Sequence, residues 1–182
     1  MINMLDRKES VLLVIDVQEK LVKALDKDVV VNRTLTLVKA AKILGIPTIA
    51  TQQYSKGLGQ IVGAVKQSFA PNTPIIEKSA FSALKEVGFI ETLKSLNKNQ
   101  VVICGIETHV CVHQTVADLI SEGFDVYVAK DACASRNKYE FKQGIERMQA
   151  NGAKISCVEI VLFEWLKSAK NPYFKEVQAL IK

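Results

Sequence analysis

Three residues of this chain carry the means for nucleophilic chemistry, and each follows a short apolar run. Asp16 comes directly after Val11–Ile15, Lys78 directly after Pro74–Glu77, and Cys111 shortly after Val101–Cys104. A carboxylate can move a proton, an ammonium can hold negative charge, and a thiol can attack a carbonyl. Cys111 falls near the start of a helical pattern, where backbone N–H groups and the helix dipole favour a thiolate. A nearby lysine would lower its pKa further. The plainer readings are a small apolar side chain for Cys111, a helix cap for Asp16 and a surface cation for Lys78. A charged side chain directly behind a buried strand needs a partner, which favours the pairing of Asp16 with Lys78.

Other constellations are weaker. His109 and His113 are four apart, but H-E-x-x-H is absent and Cys111 between them would point to another side of the helix. No metal is expected there, and His109 is placed near the entrance of the site. Lys56-Gly57-Leu58-Gly59 does not make a phosphate loop, and no G-x-G-x-x-G follows the first apolar run. Nucleotide binding is disfavoured. Cys104 and Cys157 read as strand residues and Cys133 as a loop residue, all three structural. No C-x-x-C pair occurs among the four cysteines, so reduced thiols are expected.

The elements that would position these groups alternate. Val11–Ile15 reads as a strand buried on both faces. Val29–Leu44 has helical spacing and stops at Gly45, with Pro47 beyond. Strands follow at Pro47–Ala50, Pro74–Glu77, Val101–Cys104, Val126–Ala129 and Ile155–Val158. Helices are read at Phe89–Leu96, His109–Glu122 and Tyr139–Ala150, with helical segments to the end. Gly57, Gly59 and Gly63 mark a looser stretch. The pattern predicts one domain over residues 1–182, an α/β fold: a three-layer α/β/α sandwich with a six-stranded, mostly parallel sheet. Ligands of such sheets bind beyond the carboxyl ends of the strands, where Asp16, Thr51-Gln52-Gln53-Tyr54, Lys78, Gly105–Cys111 and Lys130-Asp131 lie.

Composition bounds the function. The chain has 182 residues, 48% hydrophobic and 24% charged, which suits a folded domain with its own core. The net charge is +5, but the lysines are scattered rather than blocked, which argues against nucleic acid. No apolar run is long enough to span a bilayer, and the first is too short and too interrupted for a signal peptide. A cytoplasmic protein without membrane partners is expected.

The chain resembles the isochorismatase-like cysteine hydrolases, which include nicotinamidases. The resemblance rests on Leu13-Val14-Ile15-Asp16-Val17-Gln18, Glu77-Lys78-Ser79-Ala80-Phe81-Ser82 and Gly105-Ile106-Glu107-Thr108-His109-Val110-Cys111-Val112, in this order. Gln53–Gly59 and Asp131–Arg136 look most like the isochorismatase domain-containing proteins. The resemblance implies a triad of Asp16, Lys78 and Cys111. It implies a cis peptide between Ile106 and Glu107, and an oxyanion hole from the N–H groups of Glu107 and Cys111. On its residue type, Thr108 is expected to brace the turn through its hydroxyl. Pocket walls are expected from Gln18, Leu21, Gln53, Tyr54, Phe81 and His109. Metal-binding nicotinamidases carry His ligands after the second strand, where this chain has Thr51-Gln52-Gln53-Tyr54, so neither metal nor other cofactor is expected. True isochorismatases lack the cysteine. The implied activity is hydrolysis of a C–N bond in a small amide through a thioester. The alternatives are an isochorismatase-type or ester hydrolase, an acyl transferase, and a non-catalytic scaffold. Relatives usually assemble as dimers or larger, so a homo-oligomer is expected.

Overall fold

The computed structural model describes residues 4–25 and 28–182. Its elements run β1 (Ser10–Ile15), α1 (Glu19–Leu25), α2 (Asp28–Leu44), β2 (Thr48–Gln53), α3 (Ser55–Leu58), α4 (Gly63–Ser68), β3 (Ile75–Lys78), α5 (Phe89–Ser95), β4 (Gln100–Ile106), α6 (His113–Ser121), β5 (Asp125–Ala134), α7 (Lys138–Ala150), β6 (Lys154–Ser156), α8 (Val158–Leu166) and α9 (Phe174–Gln178). A 3₁₀ turn covers Ala83–Lys85, and a π-helical turn, Thr108–Val112, leads into α6.

The six strands form one sheet in the order β3-β2-β1-β4-β5-β6, parallel throughout. β1 is central, and all six of its residues are buried. Its side chains alternate between two cores. Leu12 and Val14 pack with Leu37, Val38, Val161 and Trp165 from α2 and α8. Val11, Leu13 and Ile15 pack with Phe89, Leu93, Val116 and Met148 from α5, α6 and α7. That two-sided burial is why the strand reads as an unbroken β-branched and leucine run. Each such side chain contributes about 1.5–3 kcal/mol by leaving water.

The structure differs from the sequence reading where polar residues continue a strand. β2 runs on through Thr51, Gln52 and Gln53, which lie in register with Ile76, Glu77 and Lys78 of β3, while Thr51 also pairs with Ile15 of β1. Their side chains find partners on those neighbours, so the ladder need not stop at Ala50. β5 likewise continues past Lys130 and Asp131, and the register against β4 shifts between Ile103 and Gly105. Asp131 serves inside the fold: its Oδ1 accepts from Val158 N at 2.8 Å, capping α8. Cys133 is therefore a strand residue opposite Gly105, and Cys157 precedes α8 instead of lying within a strand. The glycine-bearing stretch after β2 contains α3 and α4, two helices too short to show periodicity.

Candidate active site

Asp16 directly follows β1 in a left-handed conformation (φ 49°), which aspartate tolerates better than most residues. Its neighbour β4 passes extremely close. Gly105 pairs with Ile15, has φ 139°, and a β-carbon there would lie 2.0 Å from Ile15 O. Only glycine lets the two strand ends approach in this way. The Ile106–Glu107 peptide that follows is cis.

Lys78, at the end of β3, reaches across β2 to the Asp16 carboxylate. Nζ lies 2.7 Å from Asp16 Oδ2, and both side chains are fully buried. The aligned hydrogen bonds of Nζ go elsewhere, to Gln53 Oε1 at 2.5 Å, Phe81 O at 3.0 Å and Ala80 O at 3.3 Å. Asp16 Oδ1 accepts from Thr51 Oγ1 at 2.7 Å, while Oδ2 receives no aligned hydrogen bond among the described residues. One carboxylate oxygen is thus occupied by Thr51, and the other faces the Lys78 ammonium.

Cys111 lies in the π-helical turn after β4 and is 7% exposed. Val112 N bonds back to Glu107 O at 3.2 Å, five residues earlier, which is the wider π repeat. Asp16 and Lys78 both act on the thiol. Burial first, then the Asp16 charge, push the Cys111 thiol up to about 12, with Lys78 pulling the other way. Burial also raises Asp16, opposed by the Lys78 charge and by contacts with Lys78, Thr51 and Cys111. The sequence reading expects the helix start and the lysine to lower the thiol; in the assembled site burial and the Asp16 charge act the other way and raise it.

The surroundings sort the remaining candidates. Glu107 Oε1 accepts from Arg136 N and Nε at 3.1 and 3.0 Å, tying the loop after β4 to the end of β5. Thr108 is buried and its hydroxyl finds no partner among the described residues, so it does not brace the turn as expected. Gln18 is buried behind the site, not on a pocket wall. Its Oε1 accepts from Gln53 N at 2.7 Å, and its Nε2 donates to Gln53 O at 3.0 Å and Gly59 O at 2.7 Å. Tyr54 and Phe81 are 61% and 51% exposed at the ends of β2 and β3. Leu21 lines a cavity of about 330 Å³ with Leu58, Glu107 and Arg136.

His109 lines a different cavity of about 500 Å³, with His113, Gln143 and Arg147, and its Nδ1 lies 2.9 Å from Ser135 Oγ. It faces α7, where Gly144 lets that helix approach: a β-carbon there would lie 3.0 Å from His109 Cα. Asp16, Lys78 and Cys111 line neither cavity. Among the described residues, no group of three or more His, Cys, Asp or Glu is placed to hold a metal ion. The roles of Thr51 and of the Gln53 carbonyl escaped the sequence reading. The signal was present in the polar run directly after Ala50, at the expected ligand end of the sheet.

A parallel α/β sheet that gathers a buried acid, amine and thiol beyond its strand ends defines the class, that of the isochorismatase-like α/β hydrolase fold. Residues 10–160 match the Isochorismatase domain, and the chain belongs to that family. Among curated relatives it is 40% identical to the secreted isochorismatase effector Isc1 of Phytophthora sojae, over 95% of this chain and 84% of that one. It is 38% identical to isochorismatase domain-containing protein 2 of Xenopus laevis, over 99% and 87%. Among solved structures it is similar to the MAR1 ribonuclease from Caenorhabditis elegans, with TM-score 0.94, 37% identity, and 98% and 92% coverage. YcaC from Pseudomonas aeruginosa, solved with hexane-2,5-diol and covalent acrylamide, gives TM-score 0.94, 28% identity, and 100% and 91% coverage. No helix among the described residues is long and apolar enough to cross a membrane.

Proposed function

We propose that the chain is a cysteine hydrolase that opens the C–N bond of a small amide through a thioester. The observation that carries this reading is the Asp16 carboxylate: fully buried, held 2.7 Å from the Lys78 ammonium, raised in pKa, and with Oδ2 open to a proton from Cys111. A thiol at about 12 beside a raised carboxylate calls for proton transfer during attack, not before it.

Cys111 Sγ forms a bond to the carbonyl carbon as its proton passes to Asp16, and the C=O electron pair moves to oxygen. The N–H groups of Glu107 and Cys111 stabilise that oxyanion, at about 3–4 kcal/mol per donor. The intermediate collapses, the C–N bond breaks, and Asp16 returns the proton to the departing nitrogen. Water then gives a proton to Asp16 and attacks the thioester; the C–S bond breaks and the sulfur takes the proton back. At attack the negative charge passes from Asp16 to the substrate oxygen, and it returns to Asp16 when the departing nitrogen takes the proton, so total charge is conserved while the Lys78 side chain stays beside the carboxylate.

The covalent acrylamide in a YcaC structure is consistent with a reactive nucleophile in this fold, since acrylamide is captured at its vinyl carbon, and it leaves the bond cleaved to be tested. The test is a screen of small amides and nicotinamide-like compounds with ammonia detection, beside Cys111→Ala. Ammonia release lost in the variant supports the reading. Turnover of esters alone moves the activity to the ester class, and RNA cleavage that survives Cys111→Ala overturns it. The reading also includes assembly into a homo-oligomer of two or more chains, which light scattering tests separately.

A further inference from the structure

Gln53 stands out because its side chain is committed at both ends. Its Oε1 accepts from Lys78 Nζ at 2.5 Å, and its Nε2 donates to Ser79 O at 2.7 Å. A flipped amide would set Nε2 against the ammonium and the carbonyl against Ser79 O, so one orientation alone satisfies both neighbours. The backbone of Gln53 is held in turn by the buried Gln18, which accepts from its N–H and donates to its carbonyl.

Lys78 has three protons and meets three aligned acceptors: Gln53 Oε1, Phe81 O and Ala80 O. The loop carrying the last two is pinned by Glu86, whose Oε1 accepts from Ser79 N at 2.6 Å and Ala80 N at 2.8 Å. The charged and titratable groups facing the ammonium are Asp16, Cys111 and Glu86. The same ammonium lies 2.7 Å from Asp16 Oδ2, so Lys78 is shared between one carboxylate and three neutral carbonyls.

We propose that Gln53, carried by Gln18, is a positioning residue that makes Lys78 a fixed charge: its neutral carbonyl takes one ammonium proton and sets how much positive potential reaches Asp16 and Cys111. This rests on the cysteine-hydrolase reading of the same three residues. A carboxylate at position 53 would add a second anion beside one cation, and the site would resist a negative charge on sulfur. An apolar side chain there would leave the ammonium less compensated, and the sulfur anion would form more readily. Turnover falls in both cases, because the proton must be shared between Asp16 and Cys111 and neither change keeps that balance.

The experiment is the pH dependence of Cys111 alkylation by iodoacetamide, read by mass spectrometry, in wild type, Gln53→Glu, Gln53→Met and Asp16→Asn. It needs no known substrate. Gln53→Glu should shift the rise in labelling to higher pH, with about tenfold slower labelling at fixed pH. Gln53→Met should shift it to lower pH, with labelling several-fold faster. A mere packing role would speed labelling in both variants by loosening the pocket; that result, or two profiles equal to wild type, overturns the proposal. Asp16→Asn separates the two levels. Wild type and Asp16→Asn labelling alike sinks the acid–thiol reading and the Gln53 proposal with it. If those two differ while both Gln53 variants follow wild type, only the Gln53 proposal falls.

Discussion

Cys111 should be a poor nucleophile toward a simple alkylating agent, although it is the proposed catalytic thiol. At pH 7.5 a thiol held at about 12 is ionised in roughly 1 molecule in 30,000. An ordinary thiol near 8.5 is ionised in roughly 1 in 10, so the deficit is about 3,000-fold. A more basic thiolate is intrinsically more reactive, and a Brønsted slope of about 0.4–0.5 restores roughly 25–55-fold. Labelling about 100-fold slower than that of an accessible thiol is the net expectation, before the 7% exposure slows it further. The assay is iodoacetamide labelling followed by peptide mass spectrometry, with the partly exposed Cys157 as internal reference. The rate should keep rising through pH 10 without a plateau. Cys104 and Cys133 are buried and raised as well, so they add little signal. Asp16→Asn removes two influences that raise the thiol, its charge and its hydrogen-bonding contact, and leaves Lys78 unopposed. That variant should label at least tenfold faster at pH 7.5, about one pKa unit, while losing turnover. Cys111 labelling as fast as Cys157 with a plateau below pH 8, or slower labelling in Asp16→Asn, would refute the reasoning.

Four further outcomes are expected. Gly105→Ala forces a β-carbon to 2.0 Å from Ile15 O and should destabilise the fold by more than about 3 kcal/mol, read from the urea midpoint. Thr51→Val removes the 2.7 Å hydrogen bond to Asp16 Oδ1 and should cost about 1–3 kcal/mol of stability, with a fall in kcat. Glu107→Ala loses an ion pair whose arginine is 68% exposed, worth less than about 1 kcal/mol, and should keep turnover within a few-fold because the proposed oxyanion donor is backbone. Incubation with EDTA should leave amide turnover intact; loss followed by recovery with zinc or manganese would contradict the metal-free reading.

Much of this protein was legible from the chain alone, wherever one local pattern answers to one physical cause. Val11–Ile15 could only be a strand buried on both faces, and the turn at Gly45 and Pro47 could only end a helix. A strand followed at once by Asp16, another ending in Lys78, and a helix start near Cys111 put three reactive groups at the same end of a parallel sheet. What the chain could not show alone depends on partners far away in sequence. β2 continues through Thr51–Gln53 because Asp16, Glu77 and Lys78 satisfy its polar side chains. β5 continues through Asp131 because that carboxylate caps α8. Gln18 was read as a pocket wall and is instead fully buried against the Gln53 backbone; side-chain type alone does not say whether an amide meets a ligand or a backbone. The protonation of Cys111 belongs to the same class of question. Helix position and a lysine argue for a lowered thiol, and only the assembled fold, by removing water and setting Asp16 beside the sulfur, pushes it up instead.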